Sequence, residues 1–333
     1  MKLTMNLNEN SYPIIIEKNG LLNADKYFNL QRKVLIITDE NVPVTYAYTI
    51  KEKCKEGYVV TLPSGEGTKS FTHLQMLLKI MTEKAFTRKD AVVSVGGGVI
   101  GDLGGFCASM YMRGVDFYNV PTTTLSQIDS SIGGKCAINF EGIKNIIGAF
   151  YQPKAVIVDV ELIKSLDQRQ ISSGLVEAVK MAATFDEQLF SVFENEDIYE
   201  NMEKIILRSL ELKKHVVEQD EKESGLRKVL NFGHTIGHGI EAYSNGKYTH
   251  GECVGTGMLY MCDDEVRTRI QNVLERLCIP VISDFDKDKV RSLVSLDKKA
   301  TTGGISGVWV NKIGEFEFKL IKTDDIKKIL EEG

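Results

Sequence analysis

Proline is scarce in the second half of this chain, and long apolar runs are absent throughout. Between Pro153 and Pro280 there is no proline at all, so nothing there interrupts helix formation. No apolar stretch approaches the ~20 residues that span a bilayer, and the opening MKLTMNLNENSYPIIIEKNG has no basic segment followed by a long apolar one. The expectation is a cytoplasmic protein with no membrane partner. Basic residues are not in excess either: 41 Lys and Arg stand against 46 Asp and Glu, for a formal net charge of −5. That balance argues against a nucleic-acid partner, which calls for a basic face, but not against a local cationic pocket. The six cysteines (Cys54, Cys107, Cys136, Cys253, Cys262 and Cys278) form no C-x-x-C pair. They read as buried free thiols in a reducing compartment.

What is present is enough for two cores. The chain has 333 residues, 43% of them hydrophobic, and single cores stop growing near ~250–300 residues. Short apolar runs at 34–37, 58–62, 91–95, 117–120 and 155–158 read as strands, and Leu74, Leu77, Leu78 and Met81 recur at helical spacing between two of them. The expected fold is an α/β N-terminal Rossmann-like domain with a mainly parallel sheet over residues 1–165. A mainly α-helical C-terminal domain follows over 166–333, with helices at 172–192, 200–222, 233–244 and 251–270. Val308–Val310 and Phe316–Leu320 read as a small hairpin.

Three small-residue loops follow strands. Val95-Gly-Gly-Gly-Val-Ile-Gly-Asp102 runs from a strand into a helix, where glycines admit a pyrophosphate to the positive end of the helix dipole. Alone it is a weak signal, because tight turns also use glycine. Asp102 would cap the helix or bond a polar ligand group. Ser64–Lys69 and Pro121–Thr124 are the other two. Three such loops on successive parallel strands lie along one sheet edge, which raises a nucleotide cofactor above the reading of each loop as a mere turn.

Only five histidines occur, and three cluster in Asn231-Phe-Gly-His234-Thr-Ile-Gly-His238 and His250-Gly-Glu252. His234 and His238 share a helix face, and two imidazoles plus one carboxylate are a common zinc arrangement. Spacing favours His234 and His238 as joint ligands but does not choose the carboxylate among Glu177, Glu241 and Glu252. Core histidines in a tightly packed helix start are the structural alternative. Glycines at 233, 237, 239 and 251 point to close approach of something. Arg113, Lys135, Lys144, Lys180, Lys213, Arg227 and Lys298 or Lys299 sit near glycines or polar turns and could clasp an anion. Most lysines are solvated surface groups, but Glu177 and Lys180 share a helix face with apolar neighbours and need partners there.

The segments GEGTKS, GGGVIGDLGGF, PTTTLSQIDSSIGGKCAIN, GIKNIIGAFYQP, SGLVEAVKMA, LRKVLNFGHTIGHGIE and HGECVGTGM, with the later LDKK, follow one another between Gly65 and Lys299. In this order they resemble the signatures of the 3-dehydroquinate synthase family. The resemblance implies conversion of 3-deoxy-D-arabino-heptulosonate 7-phosphate to 3-dehydroquinate and phosphate, with NAD regenerated in each turnover and a divalent metal, zinc or cobalt. It implies metal ligands Glu177, His234 and His250, with His238 handling substrate or protons. It implies NAD contacts from Asp39, Asn41, Glu66, Lys69, Gly97, Gly98, Asp102, Thr122, Thr123, Asp129, Lys135 and Lys144. Substrate contacts would come from Arg113, Lys135, Lys144, Asn145, Lys180, Lys213, Arg227, Asn231, His238, Lys298 and Lys299. Of these, Lys135, Glu177, Lys180, Lys213, Arg227, Asn231 and His238 would take part in catalysis. A homodimer is also implied. Cys136 and Asp167 depart from the family's usual Thr and Pro, and Ala300–Trp309 matches it poorly. Another sugar phosphate cyclase and a metal-dependent polyol dehydrogenase are the alternatives.

Overall fold

The structure, a computed structural model, describes residues 1–295, 300–301 and 304–332. The chain divides into two compact units, Met1–Leu166 and Asp167–Gly333.

The first unit holds strands β1 (Lys2–Met5), β2 (Tyr12–Ile16), β3 (Lys33–Asp39), β4 (Glu56–Leu62), β5 (Ala91–Gly96), β6 (Asp116–Pro121), β7 (Lys135–Phe140), β8 (Ile143–Phe150) and β9 (Ala155–Val158). Its helices are α1 (Ala24–Tyr27), α2 (Val44–Lys53), α3 (Phe71–Glu83) and α4 (Gly98–Met110). Seven strands form one sheet in the order β1-β2-β9-β6-β5-β3-β4. All its pairings are parallel except β1 with β2. Apolar runs such as Val34–Ile37 are buried on both faces, as a helix-covered parallel sheet requires. The five expected strands are present. The sequence reading missed β1 and β2, the first a short strand of mixed polarity, and it missed the antiparallel hairpin β7–β8.

The second unit holds α5 (Gln168–Phe185), α6 (Glu187–Asn195), α7 (Met202–Gln219), α8 (His234–Ser244), α9 (His250–Leu259), α10 (Asp264–Arg276), α11 (Lys287–Ser295) and α12 (Thr323–Glu332). A small sheet, β10 (Ala300–Thr301), β11 (Gly304–Lys312) and β12 (Glu315–Ile321), contains the expected hairpin. Two expected helices are each split. The 172–192 helix breaks at Asp186, whose carboxylate accepts the Leu189 N–H at 2.9 Å and so caps α6. The 251–270 helix breaks after α9 because β11 captures the backbone: Val310 N–H donates to Met261 and Asp263 N–H donates to Val310, each at 3.1 Å. Asp167, where the family usually has Pro, caps α5 through the Gln170 N–H at 2.9 Å. Among the described residues no helix is long and apolar enough to cross a membrane. The cysteines are free; Cys278 is exposed and Cys54 half-buried, contrary to the expectation that all are buried.

The glycines near the histidines serve helix packing. A Cβ on Gly257 of α9 would lie 2.1 Å from the Gly233 carbonyl oxygen that precedes α8. A Cβ on Gly251 would lie 2.0 Å from the Ser173 carbonyl of α5. Both approaches are to backbone, which cannot rotate away. Gly257→Ala is therefore expected to cost about 2–3 kcal/mol and to lower the melting temperature by roughly 5–10 °C. Thermal unfolding followed by circular dichroism checks this, and an unchanged midpoint would refute the packing argument.

Candidate active site

In the first unit the carboxyl ends of β4, β3, β5 and β6 lie side by side on one sheet edge. From β3 the chain moves to β4 on one side and then returns to build β5 on the other. That reversal opens a crevice of the kind where open α/β sheets bind ligands. A cleft of about 340 Å³ occurs at the end of β3, lined by Thr38, Asp39, Asn41, Val42, Pro43 and Thr61 among others. Asp39 accepts the Asn41 N–H at 2.9 Å, and its burial raises its pKa above the ordinary carboxylate value. One strand over, β5 ends at Gly96, Gly97 caps α4 and Gly98 begins it. The unpaired N–H groups of that helix start suit an anion.

Between these loops lies a polar network. Buried Lys69 donates to Asp102 at 2.7 Å and to Asn145, and sits 3.6 Å from Glu66. Asn139 donates to Glu66 at 2.9 Å and accepts the Asn145 N–H at 2.9 Å. Asp102 thus pairs with a lysine instead of capping its helix. Asn139 was not singled out from the sequence; its N–H donates to the Lys69 carbonyl at 2.8 Å, which brings it here. Thr122 is buried, with its N–H on the Gly96 carbonyl at 3.0 Å. The Thr123 hydroxyl meets Ser126 at 2.8 Å, so it serves the following turn, which also carries half-buried Asp129. Lys135 and Lys144 are exposed on the β7–β8 hairpin, and Arg113 is exposed on the turn after α4 with φ +69°.

The second unit gathers charge on buried surfaces. Glu177 and Lys180 of α5 are 0% and 1% exposed and ion-paired through Glu177 Oε2. Glu177 Oε1 is buried with no aligned hydrogen-bond donor among the described residues. It faces His250 Nε2 at 3.4 Å and His234 Nε2 at 3.7 Å. Ligands ~2.1 Å from a tetrahedral ion sit ~3.4 Å apart, so these three atoms fit a divalent metal. His234 Nδ1 lies 3.1 Å from the Phe232 carbonyl, which fixes the proton there and leaves Nε2 as a lone pair. His238 also lies close: one ring nitrogen from each of His234, His238 and His250 falls within 4.8 Å of the others. Helical spacing singled out His234 and His238; the structure adds His250 to that pair and brings Glu177 to His234 and His250.

The other two carboxylates considered from sequence have different partners. Glu252 takes a two-bond clasp from Arg169 at 2.7 and 2.8 Å and closes a capping box with Thr249 at the start of α9. Glu241 receives His250 Nδ1 at 3.0 Å. Burial would raise the Glu177 carboxyl, but Lys180 and His250 outweigh it and hold its pKa low. Burial, Lys180 and the neighbouring imidazoles push the His234 pKa down. Burial would do the same to His250, but Glu177 and Glu241 overcome it and raise its pKa.

Lys213 of α7 and Arg227 on the turn Leu226–Asn231 are also buried, and α7 packs on both α5 and that turn. Arg227 donates to the Glu221 carbonyl, and Asn231 donates to Glu223 at 2.7 Å. Glu223, with φ +60°, was missed from sequence. So was Asp220, which organises this loop by accepting N–H groups of Ser224, Gly225 and Arg227 at 2.7–2.9 Å. Lys298 and Lys299 lie outside the described residues.

An N-terminal 3-dehydroquinate synthase model matches residues 59–173, and a C-terminal one matches 174–300. The chain belongs to the 3-dehydroquinate synthase family. A 3-dehydroquinate synthase from Alkaliphilus metalliredigens (strain QYMF) is 41% identical, the match covering 99% of this chain and 98% of that protein. Among solved structures, a 2-deoxy-scyllo-inosose synthase complexed with carbaglucose-6-phosphate, NAD+ and Co2+ has a TM-score of 0.90 at 24% identity, over 100% of both chains. A 2-epi-5-epi-valiolone synthase from Streptomyces hygroscopicus subsp. jinggangensis 5008, with NAD+ and Zn2+ bound, has 0.88 at 23%, over 98% of both. At those identities the two structures establish a shared fold.

Within this family member, Asp220 offers a direct test of loop order. Burial would raise its pKa, but the N–H donors of Gly225, Arg227 and Ser224 outweigh burial and hold it at about 2. Its stabilising effect is therefore full above the usual carboxylate range and is lost as pH falls through about 2. Asp220→Ala at neutral pH is expected to speed amide exchange at Ser224, Gly225 and Arg227 by about tenfold, since a hydrogen bond to a charged group is worth ~1.5 kcal/mol. Unchanged protection of those amides would count against the role.

Proposed function

We propose that this chain is a 3-dehydroquinate synthase that converts 3-deoxy-D-arabino-heptulosonate 7-phosphate to 3-dehydroquinate and phosphate, using catalytic NAD and a divalent metal, zinc first and cobalt second. The observation that carries the reading is the full-length match to relatives of that name, joined to a buried carboxylate oxygen facing two imidazole nitrogens. Glu177, His234 and His250 would hold the metal. When bound, NAD supplies a hydride acceptor and the metal a Lewis acid that acidifies a hydroxyl and polarises a ketone.

The chain's own residues would do the rest. Asp39, Asn41, Gly97, Gly98, Thr122 and Thr123 line the sheet edge that would receive NAD, and Glu66, Lys69, Asp102, Asp129, Lys135 and Lys144 would complete its contacts. Lys135, Lys180 and Lys213 would hold phosphate and Arg227 the carboxylate, each charge-assisted bond adding orientation as well as energy. Arg113, Lys144, Asn145, Asn231 and Lys298 or Lys299 would complete the substrate contacts. His238 would relay a proton near neutral pH. The gathering of buried Lys180, Lys213 and Arg227 in the second unit favours a substrate bearing phosphate and carboxylate groups over a neutral polyol. A cytoplasmic homodimer completes the reading.

Incubating metal-loaded protein with the heptulosonate phosphate and substoichiometric NAD should release phosphate continuously. Chelation should abolish release, and added zinc or cobalt should restore it. No release, with turnover instead of glucose 6-phosphate, sedoheptulose 7-phosphate or glycerol, would assign another cyclase or a dehydrogenase. Lys180→Ala is expected to lower kcat by at least ~100-fold while NAD affinity, measured by calorimetry, stays near wild type. Normal turnover of that variant would remove the lysine from the mechanism.

A further inference from the structure

Glu241 is the one carboxylate in the histidine cluster left without a task by the proposed mechanism. It lies on α8 seven residues after His234 and three after His238, so all three project from one helix face. Its side chain is 18% exposed, and Oε2 sits 3.0 Å from His250 Nδ1. His250 Nε2, on the far side of the ring, points to Glu177 Oε1. Glu241 therefore approaches the imidazole from behind and cannot share the position that Glu177, His234 and His250 surround.

We infer that Glu241 is a positioning residue for the metal: it accepts the Nδ1 proton of His250, fixes the ring so that Nε2 faces Glu177, and strengthens that nitrogen as a donor. The inference rests on the metal reading above. His250 is the first residue of α9, and the helix start itself is fastened by the Thr249–Glu252 box and the Arg169 clasp. Those bonds set the backbone but leave the imidazole free to rotate about its side-chain torsions. The Glu241 bond removes that freedom by tying α9's first side chain to α8.

The two histidines are treated differently. His234 has a neutral backbone carbonyl behind it, that of Phe232, whereas His250 has a carboxylate. A carboxylate behind a ligating histidine raises its basicity, and losing such a partner usually costs 10–100-fold in metal affinity. The reason for needing one here is visible in α5. Lys180 is ion-paired with Glu177 and withdraws much of the negative charge that this carboxylate offers the metal position. Glu241 returns a negative charge through the imidazole, from the side of the ring away from Glu177.

The test is cobalt(II) titration of the metal-free full-length protein against a competing chelator, with the visible absorption of the cobalt complex recorded alongside. Wild type should bind one cobalt per chain. Glu241→Ala should bind it about 10–100-fold more weakly with an altered cobalt spectrum, whatever small change its metal-free melting temperature shows. Glu241→Gln keeps an acceptor oxygen but not the charge, so its affinity should fall between the two. Should the Ala variant fail to fold, the Gln variant decides. Wild-type protein that binds no cobalt would overturn the metal reading and this inference together. Wild-type protein that binds, with variants of equal affinity and spectrum, would overturn the role of Glu241 alone. A drop in metal-free melting temperature with unchanged affinity would do the same, by making the bond merely structural.

Discussion

A carboxylate taken entirely out of water must be answered by other charges, and Glu177 shows how much of a protein that requirement can recruit. One of its oxygens is met by Lys180, one turn further along the same helix. The other is left facing two imidazoles brought from α8 and α9. For those imidazoles to arrive, three helices must approach to backbone contact, and the glycines at 233, 251 and 257 permit it. Ion pairs buried this way seldom add net stability, since desolvation offsets attraction. Their retention points to chemistry at the oxygen that lacks a donor.

The first unit solves a different problem with neutral means. Its sheet edge offers N–H groups, hydroxyls and small residues, and its main charged group, Lys69, is already balanced by Asp102 and Glu66. The second unit concentrates buried cations, suited to a small, densely charged anion. The two units thus offer two different electrostatic surroundings.

Much of the scaffold could be read from the chain alone, because continuous apolar runs such as Val34–Ile37 and Ala91–Val95 are local signals. The hairpin β7–β8 could not, since its segment reads equally well as a ligand loop and its pairing depends on tertiary register. Helix breaks at Asp186 and after Leu259 were missed for the same reason: one is set by a cap, the other by a distant strand. The neighbouring positions of His234 and His238 follow from helical period. No period could relate them to Glu177, which lies on another helix, and family resemblance was needed to choose it over Glu241 and Glu252. Asp220 and Glu223 escaped notice because their importance lies in loop geometry, not in spacing.

The capture of the chain after α9 by Val310 has a consequence for how this protein is made. All four residues of the histidine and Glu177 cluster have been synthesised once His250 is added. The backbone just after α9, however, takes two of its hydrogen bonds from β11, about fifty residues further along. During translation the nascent cluster would have its ligands in hand but not the brace at the far end of the helix that presents one of them. The brace for α9 is in this sense made only after the ligands it supports.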